Sequence, residues 1–285
     1  MQMRKHRRIS TCLRYVSLAL CLLVLSGVPG ATKLYAQSDD EFDSYKIRVS
    51  AFWVYSHPSG TLQGSDGAQG IDLNYDLGFN TYSTFAGKLD WKFTHKNHLY
   101  ITGVPYNSSR QTVLARTINF QGQTFAAGLT TRANLESPMY GLGYQYDIIR
   151  RRRGHLGLGA QINLYDSHAS ISAAAQVVNG VQYPAVHASG SLLAPIPVAG
   201  PDFRLYLTNS PRLFIEGNLY GMYFFGYGNY IASVGDFGFT VTSHLTLNAG
   251  YQLGSRLVVN NDASTDRIGL TLKQKGPMVG LQFSF

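Results

Sequence analysis

The chain has 285 residues, with 24 Lys and Arg against 16 Asp and Glu, a formal net charge of +8, and charged and aromatic fractions of 14% and 13%. Its two cysteines, Cys12 and Cys21, both lie in the first 36 residues, which excludes disulfides and thiol chemistry for the rest. Six of the basic residues and none of the acidic ones lie there too, so the remainder carries only +2 and the basic excess is no nucleic-acid footprint.

Arg4, Lys5, Arg7, Arg8 and Arg14 precede an apolar run, Val16–Val28, which gives way to small residues ending at Ala36. Charged, apolar, then small is the layout of a secretory signal peptide, and the apolar run falls short of the ~20 residues of a spanning helix. Cleavage is expected after Ala36, with Ala31 as the alternative. Residues 37–44, with Asp39, Asp40, Glu41 and Asp43, read as a short acidic periplasmic lead.

From Tyr45 to the end, apolar and polar residues alternate with period two, the pattern of strands with one apolar face. Ten strands are expected, at about 45–55, 83–94, 98–107, 138–149, 155–165, 190–207, 212–223, 229–241, 244–256 and 276–285. The short connections 95–97, 150–154, 208–211 and 242–244 alternate with the long ones 56–81, 107–136, 166–189 and 260–275; residues 224–228 form a single short connection on the long-loop side. Such asymmetry suits an all-β, antiparallel up-and-down transmembrane barrel with periplasmic turns and outer loops, spanning 45–285. Residues 111–131 read as a further hairpin with poorly separated faces. It is placed above the membrane as an extension of neighbouring strands; counting it as spanning gives twelve, and a barrel of eight is the other alternative.

Charge fixes which face is outside. A Lys or Arg facing lipid near the midplane costs about 2–4 kcal/mol, so turning Lys46, Arg48, Lys88 and Lys92 outward together would outweigh a typical stability of about 5–15 kcal/mol. The expected inward charges are Lys46, Arg48, Lys88, Asp90, Lys92, Asp147, Arg204, Glu216, Asp236 and Arg256. In a narrow barrel side chains fill the lumen and opposite charges must pair. With four cations on the first two strands and Asp90 alone beside them, the balancing carboxylates are expected to be Asp147, Glu216 and Asp236.

Candidate chemistry is sparse. Asp166, Ser167, His168 and Ser170 cluster at the top of the fifth strand and are the best materials for a nucleophile and base. His95 and His98 fall in a tight turn and are read as solvated, since two ligands do not make a stable zinc site. Gly141, Gly143, Gly157 and Gly159 lie within strands and open no helix, so they read as relief of crowding rather than a phosphate loop. Neither a GxSxG nor an HExxH motif occurs. No cofactor, metal or nucleic acid is expected, nor an enzymatic activity.

The last strand, Gly276–Phe285, sets Val279, Leu281, Phe283 and Phe285 on one face and ends on an aromatic residue. This ending resembles the closing strand of bacterial outer-membrane β-barrels, and Gly70–Phe79 resembles a segment of some barrels of that kind. The resemblance implies outer-membrane location, contact with its lipids, and delivery to the barrel-assembly machinery through the terminal strand. The expected role is a porin-like barrel with a plugged or narrow charged lumen, serving membrane structure or limited passage of small solutes. An outer-rim enzyme acting on lipid A or peptides, and a loop-mediated adhesin, are the alternatives.

Overall fold

A computed structural model describes residues 42–64, 70–208, 210, 212–224, 228–259 and 268–285. The expected signal peptide, 1–36, and residues 37–41 of the expected acidic lead lie outside these residues. The fold is all-β, and ten antiparallel strands close into a ring: β1 Ile47–Gln63, β2 Tyr82–Lys92, β3 Asn97–Val104, β4 Met139–Arg151, β5 Gly154–Ala173, β6 Val186–Tyr206, β7 Leu213–Phe224, β8 Gly228–Thr240, β9 Leu245–Val259 and β10 Gly269–Ser284. Closure is made where β1 pairs with β2 on one side and with β10 on the other, Val49 facing Leu89 and Phe283. The Phe285 carbonyl accepts from both Lys46 N and Ile47 N, so the last residue locks the first strand.

Alternation sorts the side chains as a bilayer demands. Trp53, Phe85, Trp91, Leu142, Leu158, Phe237, Leu253, Val279 and Leu281 stand exposed on the outer face, Phe85 at 69% and Leu253 at 64%. Arg48, Asp90, Lys92, Asp147, Asp202 and Arg204 are buried on the inner one. In water this surface would be one large apolar patch; in a bilayer it is the lipid-facing belt of a closed barrel.

Several strands run well past their expected outer ends. β1 continues to Gln63, β5 to Ala173, and β6 and β10 begin at Val186 and Gly269. Most of the expected loop 166–189 is therefore strand. The outer face of these extensions is polar, with Asp166, His168, Ser170 and Ser172, because it stands above the lipid. Hydropathy alternation ends at the rim while backbone pairing continues, so the pattern marks the bilayer edge and not the strand end.

The ambiguous hairpin lies outside the ring. Asn107–Val113 pairs with Thr130–Glu136, which pairs in turn with the upper part of β5. Ile118–Phe120 and Gln123–Phe125 form its tip, turning through Gln121 and Gly122 at φ 51° and 72°, the left-handed pair of a tight two-residue turn. Its apolar face packs with the β1–β2 connection and the inner wall of the extended strands. Leu62, Ile71, Leu73, Leu77, Phe79, Leu114, Phe120, Phe125, Leu135, Ile171 and Ile268 form one buried cluster there. The barrel carries a water-soluble type of core on its outer end.

The rim position is testable with two substitutions on one face of β5. Leu158→Arg is expected to cost about 2–4 kcal/mol in urea unfolding from lipid bilayers. Ser172→Arg, above the rim, should stay within about 0.5 kcal/mol. Equal losses would place the membrane differently.

Candidate functional site

The interior falls into three layers. At the periplasmic end residues 42–46, the last part of the expected acidic lead and the first residues of the expected barrel, turn into the mouth. Phe42 meets Tyr206 edge-on with ring centroids 5.6 Å apart, and Asp43 is 4% exposed. The Asp43 carboxylate pairs with Arg48 of β1, lies 3.2 Å from Arg204 of β6 and 3.3 Å from His155 of β5. Its carbonyl accepts from Lys92 Nζ at 3.0 Å and Arg150 at 2.9 Å. One residue thus ties β1, β2, β4, β5 and β6 across the lumen.

Around it carboxylates and cations alternate. Asp43, Asp90, Asp147, Asp202 and Glu216 face Arg48, Lys88, Lys92, Arg150 and Arg204, and Asp236 adds a sixth inward carboxylate beside them. Arg204 pairs with Glu216 and donates to Gln282 at 3.0 Å. Arg150 lies 2.6 Å from Asp147, and Lys88 is 3.9 Å from Asp90. His98 is clasped between Asp90 at 3.2 Å and Asp147 at 3.1 Å, and His155 reaches Asp202 at 3.1 Å. The space left among these groups is about 30 Å³, room for about one or two waters. Burial pushes the Asp43 carboxyl upward, but the charges of Arg48 and Arg204 and the close approach of His155 overcome it and hold the carboxyl well below its usual value.

The expected lumen residues are thereby sorted. Arg48, Lys88, Asp90, Lys92, Asp147, Arg204, Glu216 and Asp236 all point inward, while Lys46 and Arg256 are exposed. Lys46 is turned out because the double donation to Phe285 O rotates the chain before β1, which also turns Tyr45 in. Arg256 is turned out by an irregularity in β9 between Gln252 and Ser255; it lies level with Lys273 and Ser59, above the belt residue Tyr55. The partner of Arg48 is Asp43, not a carboxylate from across strands four, seven or eight. His98 is fully buried, not a solvated turn residue.

Above the network lies a cavity of about 250 Å³. Its floor is polar, with Lys88, Glu216, Asp236, Asn218, Gln161 and Asn163. Its upper wall is the underside of the outer core, where Tyr82, Tyr106, Tyr165, Tyr230, Leu257 and Leu272 belong to both. Two inward glycines make room for this tyrosine-rich wall: a Cβ on Gly143 would stand 2.3 Å from the Tyr100 ring, and one on Gly159 would stand 2.3 Å from Tyr220 Oη.

The third layer is the lid. Arg116 of the outer hairpin grips Asp76 of the β1–β2 connection at 2.6 and 2.9 Å and donates to Gly70 O at 3.1 Å. Burial raises the Asp76 carboxyl, and the Arg116 hydrogen bond and the Asp72 backbone N–H bring it below the ordinary value. The candidate catalytic group is divided by the sheet. His168 lies 3.0 Å from Asp166 on the exposed outer face. Ser167 points the other way, fully buried and hydrogen-bonded to Ser137 at 2.7 Å. Among the described residues, no group of three or more His, Cys, Asp and Glu is arranged to hold a metal.

No family model and no curated protein matches the chain. Solved structures do. The outer-membrane protease OmpT of Escherichia coli superposes with a TM-score of 0.51 at 13% identity, over 86% of this chain and 100% of that one. The fold is that of a bacterial outer-membrane β-barrel. The transport unit of the E. coli autotransporter AIDA-I matches at TM-score 0.41 and 12% identity, covering 90% of this chain and 94% of that one. Ail, the attachment invasion locus protein of Yersinia pestis, in complex with a heparin analogue, matches at 0.35 and 9%, covering 84% and 99%.

Two outcomes test the layers. Asp43→Ala leaves buried Arg48 and Arg204 short of a counter-charge and is expected to cost about 3–5 kcal/mol in bilayer unfolding, whereas removing a free lead residue would cost nothing measurable. For the lid, a carboxyl whose folded value is depressed stabilises above its unfolded value of about 3.9 and loses that contribution as pH falls through the folded one. Pepsin cleavage of residues 70–80 should therefore accelerate only below about pH 4, and Arg116→Ala should remove the step.

Proposed function

We propose that this protein is a closed outer-membrane barrel that conducts no stream of ions or solutes, and that its task lies in its inner cavity and its outer lid. The observation that carries this reading is Asp43, which binds groups from opposite walls of the mouth at once. A conduit of the same width would keep its charges on the walls and its centre wet. Here the chain itself occupies the centre, and every inward cation of the mouth has a partner on the protein.

The expected reading of the lumen as a salt-bridged plug is thus favoured over that of a narrow conduit. The lid supports it from the other side: the buried cluster over the mouth joins the β1–β2 connection, the outer hairpin and the extended walls. An enzyme at the outer rim has less support. The Asp166–His168 pair faces away from the lumen, and the neighbouring hydroxyl of Ser167 lies on the opposite face.

Planar-bilayer recording tests the proposal. The folded chain is expected to give no stable conductance step between pH 5 and 8. A reproducible open level in that range would overturn the closed barrel.

A further inference from the structure

The floor of the central cavity is uneven in charge. Among the described residues that line it, the charged side chains are Lys88, Glu216 and Asp236. The two carboxylates stand directly opposite each other, Glu216 on β7 and Asp236 on β8. Like charges so placed repel, and burial strengthens the repulsion by removing water. Glu216 is relieved by its ion pair with Arg204. Lys88 is taken up on the opposite wall, where its Nζ lies 3.9 Å from Asp90 and 4.6 Å from the centre of the Tyr100 ring.

Asp236 has no cation paired with it among the described residues. It is 8% exposed, and one of its oxygens accepts from Asn248 at 2.7 Å. The other oxygen is bonded to no described group, at the edge of an open space. Buried carboxylates are ordinarily paired, so the floor lacks one positive charge beside Asp236.

The wall above Asp236 is aromatic. Up the inner face of β8 the lining runs through Val234 and Ala232 to Tyr230. Ala232 is registered with Tyr220, which accepts from the Tyr100 hydroxyl at 3.3 Å. Tyr82, Tyr106 and Tyr165 complete the upper lining. The faces of such rings attract a cation, and cages built from them hold quaternary ammonium groups. A metal ion would gain nothing from the tyrosines, whereas the methyl or methylene groups around an ammonium nitrogen pack against them. The volume of about 250 Å³ falls just below the ~300–1,000 Å³ of sites for drug-sized molecules. It suits one compact molecule.

We infer that the central cavity binds a small organic cation, an ammonium group on a compact apolar body, with Asp236 as its counter-charge and the tyrosines as its cover. The inference rests on the proposed reading in which the protein works through its inner cavity.

The test uses the chain refolded into lipid bilayers with the probe already present, so that entry does not limit the measurement. Choline is the cation. The neutral alcohol in which carbon replaces the choline nitrogen has the same shape and is the control. Equilibrium dialysis is expected to show saturable binding of one choline per chain, at least tenfold tighter than the alcohol. Asp236→Asn keeps the shape and removes the charge, and should bring choline down to the level of the alcohol. Val234→Lys, two residues along the same inner face, sets a tethered ammonium within reach of Asp236 and should abolish choline binding; it gives the same reading if Asp236→Asn does not fold. Equal affinity for the two probes would make the cavity an apolar pocket and overturn the inference. Saturable binding of neither, or choline binding unchanged in the variants, would overturn it too. Conductance measures the closed barrel separately, so a silent barrel that binds no choline overturns this inference and leaves the closed barrel standing.

Discussion

A carboxylate taken out of water and set among arginines from opposite walls governs the interior of this barrel. Asp43 precedes the first strand, yet its side chain holds Arg48 and Arg204 and touches His155, while its carbonyl receives Lys92 and Arg150. Without it Arg48 would lose the carboxylate it is paired with, in a space with room for about one or two waters. Buried ion pairs contribute little net stability against an apolar alternative, but breaking one by removal of a partner is costly. The value of the arrangement is specificity: it fixes which strands meet across the lumen.

The barrel is inverted relative to a soluble protein over its middle and conventional at its top. Within the bilayer the apolar side chains face out and the charges face in; above it the same strands bury Leu192, Ile171 and Leu270 on their inner face and expose polar residues outside. Except in β9, where the irregularity between Gln252 and Ser255 shifts it, the inward parity of these strands stays constant through both zones. Only the chemistry of the two faces exchanges. The cavity forms where these zones meet, polar on its network side and apolar on its lid side.

That exchange explains what could be read from the chain alone. Strand number, inward parity of most charges and the outward face of the closing strand follow from period-two alternation and the cost of charge in lipid, and the solved fold of OmpT agrees with the architecture. The extensions of β5 and β6 above the rim were not legible as strands, because sequences such as Asp166–Ala173 lose their apolar outer face there. Nor were His98 and Asp43. Each sits beside a turn, where polar residues are usually solvated, and only the three-dimensional closure of the ring brings their partners together. Arg256 and Lys46 went the other way, since a bulge or a doubled hydrogen bond shifts parity without a compositional sign. Two clues pointed inward all the same: the excess of cations over carboxylates on the first two strands, and an acidic cluster just ahead of them.

The most direct measurement of the account is the ionisation of Asp43 itself, read from the carboxyl ¹³C shift of the folded chain in lipid or detergent. The structure requires a carboxylate that stays ionised well below the ordinary midpoint of about 3.9. A titration step at or above that value would place Asp43 in water as part of a free lead, and the plug that organises the barrel would not exist.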